Sequence, residues 1–481
     1  MRISVKVIIG TLLMLFPTTH CLFPAAALQE ADRYAISVHA EGLGGKELLL
    51  AYHLGSRQFV KDTITLDSEG RGVARGSDEL PHGVYILVLP EGAYFELLIS
   101  DNQEFEVFFN PEDLNGTLRF SGSDENSLFA RFQKEWMERH SRGQQIRERL
   151  NRNRANQDSV YILTEMAAEH EDEVNQYFEQ LISENRGTLF ATLVAAMAPP
   201  PTFEADLPAD TPGRDSLLWV MRYNHRISTW FDNFDLSDER LLRSPLFNNK
   251  ISQYFTRELI QHPDTLKRAI DNVLELTDGN RDIFRHIAVF LFNHFRQSTI
   301  MGHDAVLVKI ADDIYLSGRA DWASEEFINN LRQDIERLRP SLIGNKAANM
   351  AMESYSHGRV ELHDLEAEYI VIYFWEPECG HCKEATPLLH DYHLRSKDEG
   401  VLFFTVGTSR DRDEWEKHIK ENGLTWINGW DPQRNTRYDF YYNVTATPLI
   451  YILDSEKRIV AKRLAAADVE NFINNHRSVN R

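Results

Sequence analysis

Two cysteines, three positions apart, are the residues of this sequence whose types and spacing are best suited to chemistry. Cys379 and Cys382 form a C-x-x-C pair, with Gly380 and His381 between them. A cysteine thiolate is a nucleophile, and two thiols at this spacing can close a ring disulfide. The pair therefore predicts disulfide exchange, in which Cys379 attacks a partner and Cys382 then resolves the mixed disulfide and releases that partner.

The elements that flank the pair predict how the thiols are positioned. Tyr369–Trp375 is an almost continuous apolar run, typical of a central strand covered on both faces, and a helix is predicted at Lys383–Asp398. The N–H groups at a helix N-terminus stabilise a thiolate. His381 can donate a hydrogen bond or carry charge, which favours the thiolate further and predicts a more oxidising pair.

A zinc site is the alternative interpretation of a C-x-x-C pair. Tetrahedral zinc needs four ligands, and the sequence contains no second C-x-x-C pair. Further ligands would have to come from His363, His390 or His393, of which the last two are three positions apart on the predicted helix. We therefore expect neither a metal nor another cofactor.

A second feature is a proline that enters a predicted strand. Thr445-Ala446-Thr447-Pro448 immediately precedes the apolar segment Leu449–Leu453. Proline lacks an N–H group and is rare inside a sheet, so this position indicates a special peptide bond, with cis as one option.

Composition limits the function classes. The chain has 481 residues, with 52 Lys and Arg against 73 Asp and Glu, a net charge of −21, and 3 cysteines. This length predicts about three domains. The acidic balance argues against a nucleic-acid binder, and three cysteines cannot form a disulfide-rich scaffold.

The first 27 residues resemble a secretory signal peptide. Arg2 and Lys6 precede the short apolar stretch Val7–Phe16, and Ala25–Ala27 supplies a small-residue cleavage site. The alternative is a lipoprotein acylated at Cys21, but two threonines and a histidine precede that cysteine where small residues are normal. We expect cleavage after residue 27, an exported protein without a transmembrane segment, and loss of Cys21.

The pattern of apolar and polar residues changes twice along the rest of the chain. Residues 31–122 alternate between apolar and polar positions, which predicts an antiparallel β-sandwich-like domain. Its predicted strands are Tyr34–Ala40, Glu47–Tyr52, Phe59–Leu66, Val84–Leu89, Tyr94–Ile99, Phe105–Phe109 and Thr117–Phe120.

Residues 123–341 have helical periodicity and predict an all-α region. Its predicted helices are Asn126–Arg149, Ser159–Asn185, Leu217–Phe231, Phe247–Gln261, Pro263–Thr277, Asp282–Ser298, Asp304–Ser317 and Ala323–Arg337.

Residues 342–481 alternate strands with helices and predict an α/β domain with a mixed sheet. Its further predicted strands are Glu361–Ala367, Val401–Val406, Trp426–Ile427, Leu449–Leu453 and Ile459–Leu464. Its further predicted helices are Arg412–Asn422 and Ala467–His476.

Residues 369–476 resemble a thioredoxin-fold domain of the TlpA/ResA type. The resemblance is carried by Tyr373–Glu384, which contains the C-x-x-C pair, by Pro387, and by Ala446-Thr447-Pro448; Ile343–Ala348 is similar to the lead-in of such domains. It implies a periplasmic thiol–disulfide oxidoreductase with protein disulfide or thiol substrates and a membrane or periplasmic electron donor. It also implies that Thr447 and Pro448 face the pair. The whole layout is similar to exported TlpA-like proteins of Bacteroidota.

Two positions depart from the family pattern. Tyr373 stands where many thioredoxins have a buried aspartate, and Ala385 stands where ResA-like members carry a glutamate. The proton acceptor for Cys382 is therefore open. The candidates are Glu376, Glu378 and Glu384, for each of which a solvated carboxylate is the alternative.

These observations favour an exported oxidoreductase with Cys379 and Cys382 as catalytic residues. Its expected supporting residues are Trp375, Gly380, His381, Thr447 and Pro448. The resemblance implies that the enzyme acts as a reductant, whereas His381 argues in the opposite direction. The alternative is an envelope binding or scaffold protein whose thioredoxin-like module is redox-sensing or vestigial.

Overall fold

The computed structural model describes residues 32–199, 203, 205, 207–277 and 279–479. The predicted signal peptide at residues 1–27 and Cys21 lie outside the described residues. Within the described parts, N-terminal β-sheets, a helical middle region and a C-terminal α/β domain follow one another, which confirms the predicted fold class. None of the helices in these parts has both the length and the apolar character that a bilayer crossing requires.

The N-terminal region is a pair of four-stranded sheets. The alternating sequence of the first strand buries every second residue, as half-buried strands do. The strands are β1 (Tyr34–Ala40), β2 (Glu47–Leu54), β3 (Arg57–Thr65), β4 (Arg71–Gly76), β5 (Gly83–Val88), β6 (Tyr94–Ile99), β7 (Glu104–Phe109) and β8 (Arg119–Ser121), with the short helix α1 (Leu114–Thr117) before β8. Strand β4 was not predicted, because its two glycines and two arginines hide the alternation.

The two sheets pack face to face around one apolar core. Their strand orders are β4-β1-β7-β8 and β3-β2-β5-β6. The shared core includes Ile36 and Val107 from the first sheet and Leu50, Leu87 and Leu97 from the second. The expectation of a purely antiparallel sandwich is wrong at one place, since β1 and β7 are parallel. No tight hairpin joins these two strands, so their relative direction is not set by a turn.

The middle region consists of helices around a second apolar core. They are α2 (Asp124–Arg152), α3 (Gln157–Glu184), α4 (Leu189–Met197), α5 (Arg214–Ser228), α6 (Glu239–Leu242), α7 (Pro245–Gln253), α8 (Pro263–Leu276), α9 (Arg281–Gln297), α10 (His303–Ile310) and α11 (Glu325–Leu338). Turns of π-helix continue α7 at Tyr254–Glu258 and α10 at Ala311–Leu316. Helix α4 was not predicted, because it is almost entirely apolar and has no polar face to mark a helical period.

The C-terminal domain is a seven-stranded mixed sheet with helices. Its strands are β9 (Ala351–Ser354), β10 (Gly358–Glu361), β11 (Tyr369–Trp375), β12 (Val401–Gly407), β13 (Ile427–Trp430), β14 (Leu449–Asp454) and β15 (Ile459–Lys462), in the order β10-β9-β13-β12-β11-β14-β15. Its helices are α12 (Gly380–Arg395), α13 (Arg412–Glu421), α14 (Tyr438–Tyr441) and α15 (Val469–Val479).

One strand predicted for this domain is wrong. Instead of a strand at Glu361–Ala367, β10 ends at Glu361 and a 3₁₀ turn follows at Leu362–Asp364. The side chain of Asn349 accepts a hydrogen bond from the backbone N–H of His363, so this N–H does not pair with a neighbouring strand. Strand β11, in contrast, is buried at every residue and lies between β12 and β14, as its apolar run predicts.

Candidate active site

Cys379 lies where the central strand of the C-terminal domain gives way to a helix. It follows β11 after the three-residue segment 376–378 and is the N-cap residue of α12. Its Sγ accepts the backbone N–H of Cys382 at 3.3 Å. A sulfur in this position meets N–H groups that have no partner within the helix, and these groups favour the thiolate.

The Cys379 thiol is partly exposed, and its pKa is lowered. Burial acts to raise its pKa, but hydrogen bonds from the Cys382 thiol, the Thr447 side chain and the backbone N–H groups of Cys382 and His381 outweigh burial, so the pKa is lowered. An accessible thiol with a lowered pKa is suited to nucleophilic attack.

Cys382 has the opposite environment, although it lies only one helical turn away. Its side chain is completely buried, and the two cysteines do not form a disulfide with each other. Burial raises the pKa of Cys382 to about 11, and the hydrogen bond to Cys379 adds to this rise. At neutral pH Cys382 therefore keeps its proton and can donate it toward the Cys379 sulfur.

The Thr447–Pro448 loop closes the site from the other side. The Thr447–Pro448 peptide bond is cis, and the Cys379 thiol donates to the Thr447 carbonyl oxygen at 3.3 Å. When Cys379 loses its proton, this carbonyl loses its donor. It then becomes available to a backbone N–H group of another polypeptide.

The remaining predicted supporting residues occupy different surroundings. Gly380 and His381 are exposed in the first turn of α12. Trp375 is completely buried; its indole N–H donates to Thr405 Oγ1 at 3.4 Å, and its ring lies 4.8 Å from that of His418. Trp375 therefore lies in the same apolar core as Cys382 rather than at the surface.

Tyr373 is a buried polar group beside the pair whose contacts sequence reasoning missed. Its hydroxyl lies 3.0 Å from Thr386 Oγ1 and donates to the Cys382 carbonyl at 3.4 Å. Burial raises the pKa of Tyr373, Thr386 opposes this, and Cys382 adds to the rise. The signal in the sequence was Thr386, which follows Cys382 by four residues and so shares its helix face.

The three glutamates considered as proton acceptors for Cys382 all lie at the surface. Glu376, Glu378 and Glu384 are exposed, whereas Cys382 is buried. Glu378 forms an ion pair with Lys383 at 3.4 Å. These positions favour solvated carboxylates for all three residues.

The histidines considered as zinc ligands have other contacts. His363 Nε2 lies 2.8 Å from the Ala347 carbonyl oxygen. The rings of His390 and His393 pack against Trp426, with centroids 5.2 and 5.8 Å away. Across the described ranges, we find no group of three or more His, Cys, Asp or Glu residues that could hold a metal ion.

Sequence comparison relates this site to known proteins. A sequence model of the thioredoxin-like family matches residues 367–459. The thiol–disulfide oxidoreductase ResA of Bacillus cereus is 22% identical over 120 residues, which cover 25% of this chain and 68% of ResA.

Two solved structures are also similar. A domain of a possible thiol–disulfide isomerase from Cytophaga hutchinsonii is 32% identical, with 29% of this chain and 95% of that chain covered and a TM-score of 0.28. A thioredoxin-like protein from Bacteroides caccae is 18% identical, with 58% of this chain and 98% of that chain covered and a TM-score of 0.44.

Proposed function

Because residues 367–459 match the model of the thioredoxin-like family, we propose that the protein exchanges disulfides with partner proteins through Cys379 and Cys382. One observation carries the proposal: a partly exposed thiol with a lowered pKa, at a helix N-terminus, lies beside a buried thiol whose pKa is about 11. This asymmetry supports attack by Cys379 and resolution by Cys382.

The first step is attack on the partner. The Cys379 thiolate attacks one sulfur of a partner disulfide, whose S–S bond breaks as the Cys379–partner S–S bond forms. The second partner sulfur leaves as a thiolate and takes a proton from solvent. The Thr447 carbonyl, which loses its thiol donor in the same state, accepts a backbone N–H group of the partner.

The second step releases the partner. Cys382 gives up its proton to solvent and attacks the Cys379 sulfur, and the bond between Cys379 and the partner breaks. The partner sulfur leaves as a thiolate and takes a proton from solvent, so the partner departs with both of its cysteines reduced. Two electrons have then moved from the pair to the partner, and the enzyme holds a Cys379–Cys382 disulfide. A dithiol electron donor must reduce this disulfide before the next turnover.

We propose reduction as the working direction and the periplasm as the location. The resemblance of residues 369–476 to the TlpA/ResA type implies this direction, while His381, exposed between the two thiols, favours the thiolate and therefore a more oxidising pair. The charged and apolar segments of residues 1–27 support export. Acylation at Cys21 is the alternative way to reach the same compartment.

A second function is favoured by one observation outside the C-terminal domain. A cavity of about 740 Å³ lies between the N-terminal sheets and the helical region, lined by Tyr94, Phe120, Trp136 and Leu246 among others. Cavities of this size and apolar character are typical of small-molecule sites. In this alternative, residues 31–341 form a binding or scaffold protein, and the thiol pair is redox-sensing or vestigial.

Reduction of insulin by dithiothreitol separates the two functions. We expect the wild type to accelerate the reaction and Cys379→Ala to lose this acceleration, because the attacking sulfur is gone. Leu388→Ala is the matched control, since Leu388 is an exposed side chain on the same helix, α12. A rate that does not depend on Cys379 would contradict the enzymatic function and leave the binding function.

Trapping identifies the partners. In Cys382→Ser the attacking thiolate remains and the resolving thiol is absent, so mixed disulfides should accumulate on Cys379. Non-reducing electrophoresis of envelope extracts, followed by mass spectrometry of the trapped species, checks this. The double variant Cys379→Ala/Cys382→Ser should trap nothing.

A further inference from the structure

A second pocket lies where the helical region meets the C-terminal domain, beside the Thr447–Pro448 loop. Its volume is about 300 Å³. One wall is the turn between α9 and α10 together with the end of α11, and the other wall includes Asn443, Thr445, Lys462 and Arg463.

The pocket is close to the reacting sulfur. Thr445 precedes Thr447 by two residues, and the Thr447 carbonyl lies 3.3 Å from Cys379 Sγ. Two residues of chain span at most about 7 Å. On the other side of the loop, the backbone N–H of Arg463 donates to the Ile450 carbonyl at 2.8 Å, two residues after Pro448. A polypeptide whose cysteine meets Cys379 therefore passes this pocket within a few residues.

Buried contacts hold the two walls together. Lys462 forms an ion pair with Asp304, and their side chains are 3% and 12% exposed. Lys462 Nζ also donates to the Ser341 carbonyl at 2.6 Å, and its backbone N–H contacts Met301 Sδ at 3.4 Å. The pocket is thus built jointly by the helical region and strand β15.

The charges that line the pocket are mainly positive. Arg296, Arg337 and Arg463 all line it and are exposed. In the described part of the chain, none of these three arginines forms an ion pair. Asp304 is already paired with Lys462, which leaves Asp334 as the other acidic lining residue. A locally positive pocket in a chain of net charge −21 favours an acidic occupant.

We propose that this pocket binds an acidic side chain of the partner polypeptide, two or three residues from the partner's reactive cysteine. The inference rests on the proposed function and adds the substrate class: disulfide-bonded proteins with Asp or Glu near the attacked cysteine. Arg463, Arg337 and Arg296 then determine specificity. The helical region gains a role in substrate choice, because it supplies two of the three arginines.

A pair of synthetic peptides tests the inference on the full chain. Both carry the same intramolecular disulfide, and they differ only in Asp and Glu against Asn and Gln at the positions two and three residues from the attacked cysteine. We expect the reduced wild type to reduce the acidic peptide about fivefold faster in kcat/KM at low salt, as ion pairs at exposed sites allow. The ratio should fall toward one as salt rises.

Two variants determine where the preference arises. In Arg337→Gln/Arg463→Gln the ratio of the two rates should fall close to one. Arg186→Gln is the matched control, since Arg186 is an exposed arginine outside the pocket, and it should keep the wild-type ratio. Equal rates for both peptides in the wild type, or an unchanged ratio in the double variant, would contradict this inference alone. A wild type that reduces neither peptide would contradict the proposed function, and this inference with it.

Discussion

The N-terminal sandwich and the C-terminal domain each contain an acidic group held by backbone N–H donors, yet only one of them is placed for chemistry. Between β3 and β4, Asp67 Oδ1 accepts the N–H groups of Glu69 and Arg71 at 2.8 and 2.9 Å. The hydrogen bond from Arg71 lowers the pKa of Asp67 most, and burial opposes it. After β11, Cys379 accepts the N–H of Cys382 in a similar way.

The difference between the two regions comes from strand direction. Asp67 closes a short turn between consecutive strands, and the chain continues directly into β4. Parallel strands such as β11 and β12 need a long crossover, which here contains α12. The start of that helix supplies free N–H groups and, one turn later, a second side chain beside the first. A thiolate there gains both stabilisation and a resolving partner, whereas the carboxylate of Asp67 only stabilises a turn.

The largest expected effect comes from the contact that joins the C-terminal domain to the rest of the chain. Asp304→Ala removes the carboxylate that pairs with Lys462, which is 3% exposed. Leaving a buried charge unpaired costs about 3–5 kcal/mol. We expect urea denaturation at pH 7 to show a loss of this size in the transition that reports on the C-terminal domain.

The pH dependence of this variant has a definite sign. Burial lowers the pKa of Lys462, and Asp304 opposes this, so the pKa falls further in Asp304→Ala. A lysine with a lowered pKa in the folded state binds fewer protons there than when unfolded, so stability rises with pH. The loss should therefore be smaller at pH 9 than at pH 7. In the control Asp304→Leu/Lys462→Met no buried charge remains, and an equally large loss would contradict this account.

How far the sequence predicts this architecture depends on the range of the interactions. The apolar run of β11 and the position of Pro448 are local patterns, and the structure contains both the buried strand and the cis bond. Strand β4 and helix α4 were missed because the sequence of β4 shows no clear alternation and the sequence of α4 shows no helical periodicity. The contact of Lys462 with Ser341 joins residues 121 positions apart. No local pattern marks such a contact, so the shared pocket was not predicted.

In the candidate site, too, local patterns were predicted from the sequence, whereas contacts that depend on packing were not. Cys379, Cys382, Thr447 and Pro448 were predicted from spacing and resemblance, and the structure brings them together. The hydroxyl contacts of Tyr373 were missed, since they depend on how β11 packs against α12. The buried location of Trp375 also follows from packing rather than from its position in the motif.

The next largest expected effect tests the asymmetry between the two thiols. The pKa of Cys379 is lowered from the ordinary cysteine value of 9.0, and that of Cys382 is raised to about 11. At neutral pH the thiolate fraction of Cys379 should therefore exceed that of Cys382 by at least about 100-fold. Iodoacetamide at pH 7 should alkylate Cys379 selectively, and the pH at which the alkylation rate is half-maximal should lie below that of an ordinary cysteine.

Peptide mapping by mass spectrometry assigns the alkylated residue. Cys379→Ala is the control for Cys382, whose alkylation should be slow at pH 7 and should increase only toward pH 11. Comparable modification of both thiols at pH 7 would contradict the assignment of attack to Cys379. It would also remove the distinction drawn between the helix terminus and the turn at Asp67.

The smallest expected effect compares one buried hydroxyl from each region. Tyr373 donates to the Cys382 carbonyl at 3.4 Å, and in the sandwich Tyr85 donates to the Pro81 carbonyl at 3.0 Å. Tyr373→Phe and Tyr85→Phe each remove one such hydrogen bond, so each should lower the free energy of unfolding by about 1 kcal/mol. Urea denaturation measures both losses.

Only one of the two variants should alter the thiol chemistry. The Tyr373 hydroxyl donates to the Cys382 carbonyl, and Cys382 adds to the raised pKa of Tyr373, so the hydroxyl and the thiol are electrostatically coupled. When Cys382 loses its proton, the hydroxyl can turn toward the thiolate and stabilise it. Tyr373→Phe should therefore raise the pKa of Cys382 further and slow release of the partner from the mixed disulfide by about tenfold, since a hydrogen bond to a charged group contributes at least about 1.5 kcal/mol. Stopped-flow release of a fluorescent thiol from Cys379, measured against pH, checks this. Equal release rates in Tyr373→Phe and Tyr85→Phe would mean that the Tyr373 hydroxyl only stabilises the fold, as Tyr85 does in the sandwich.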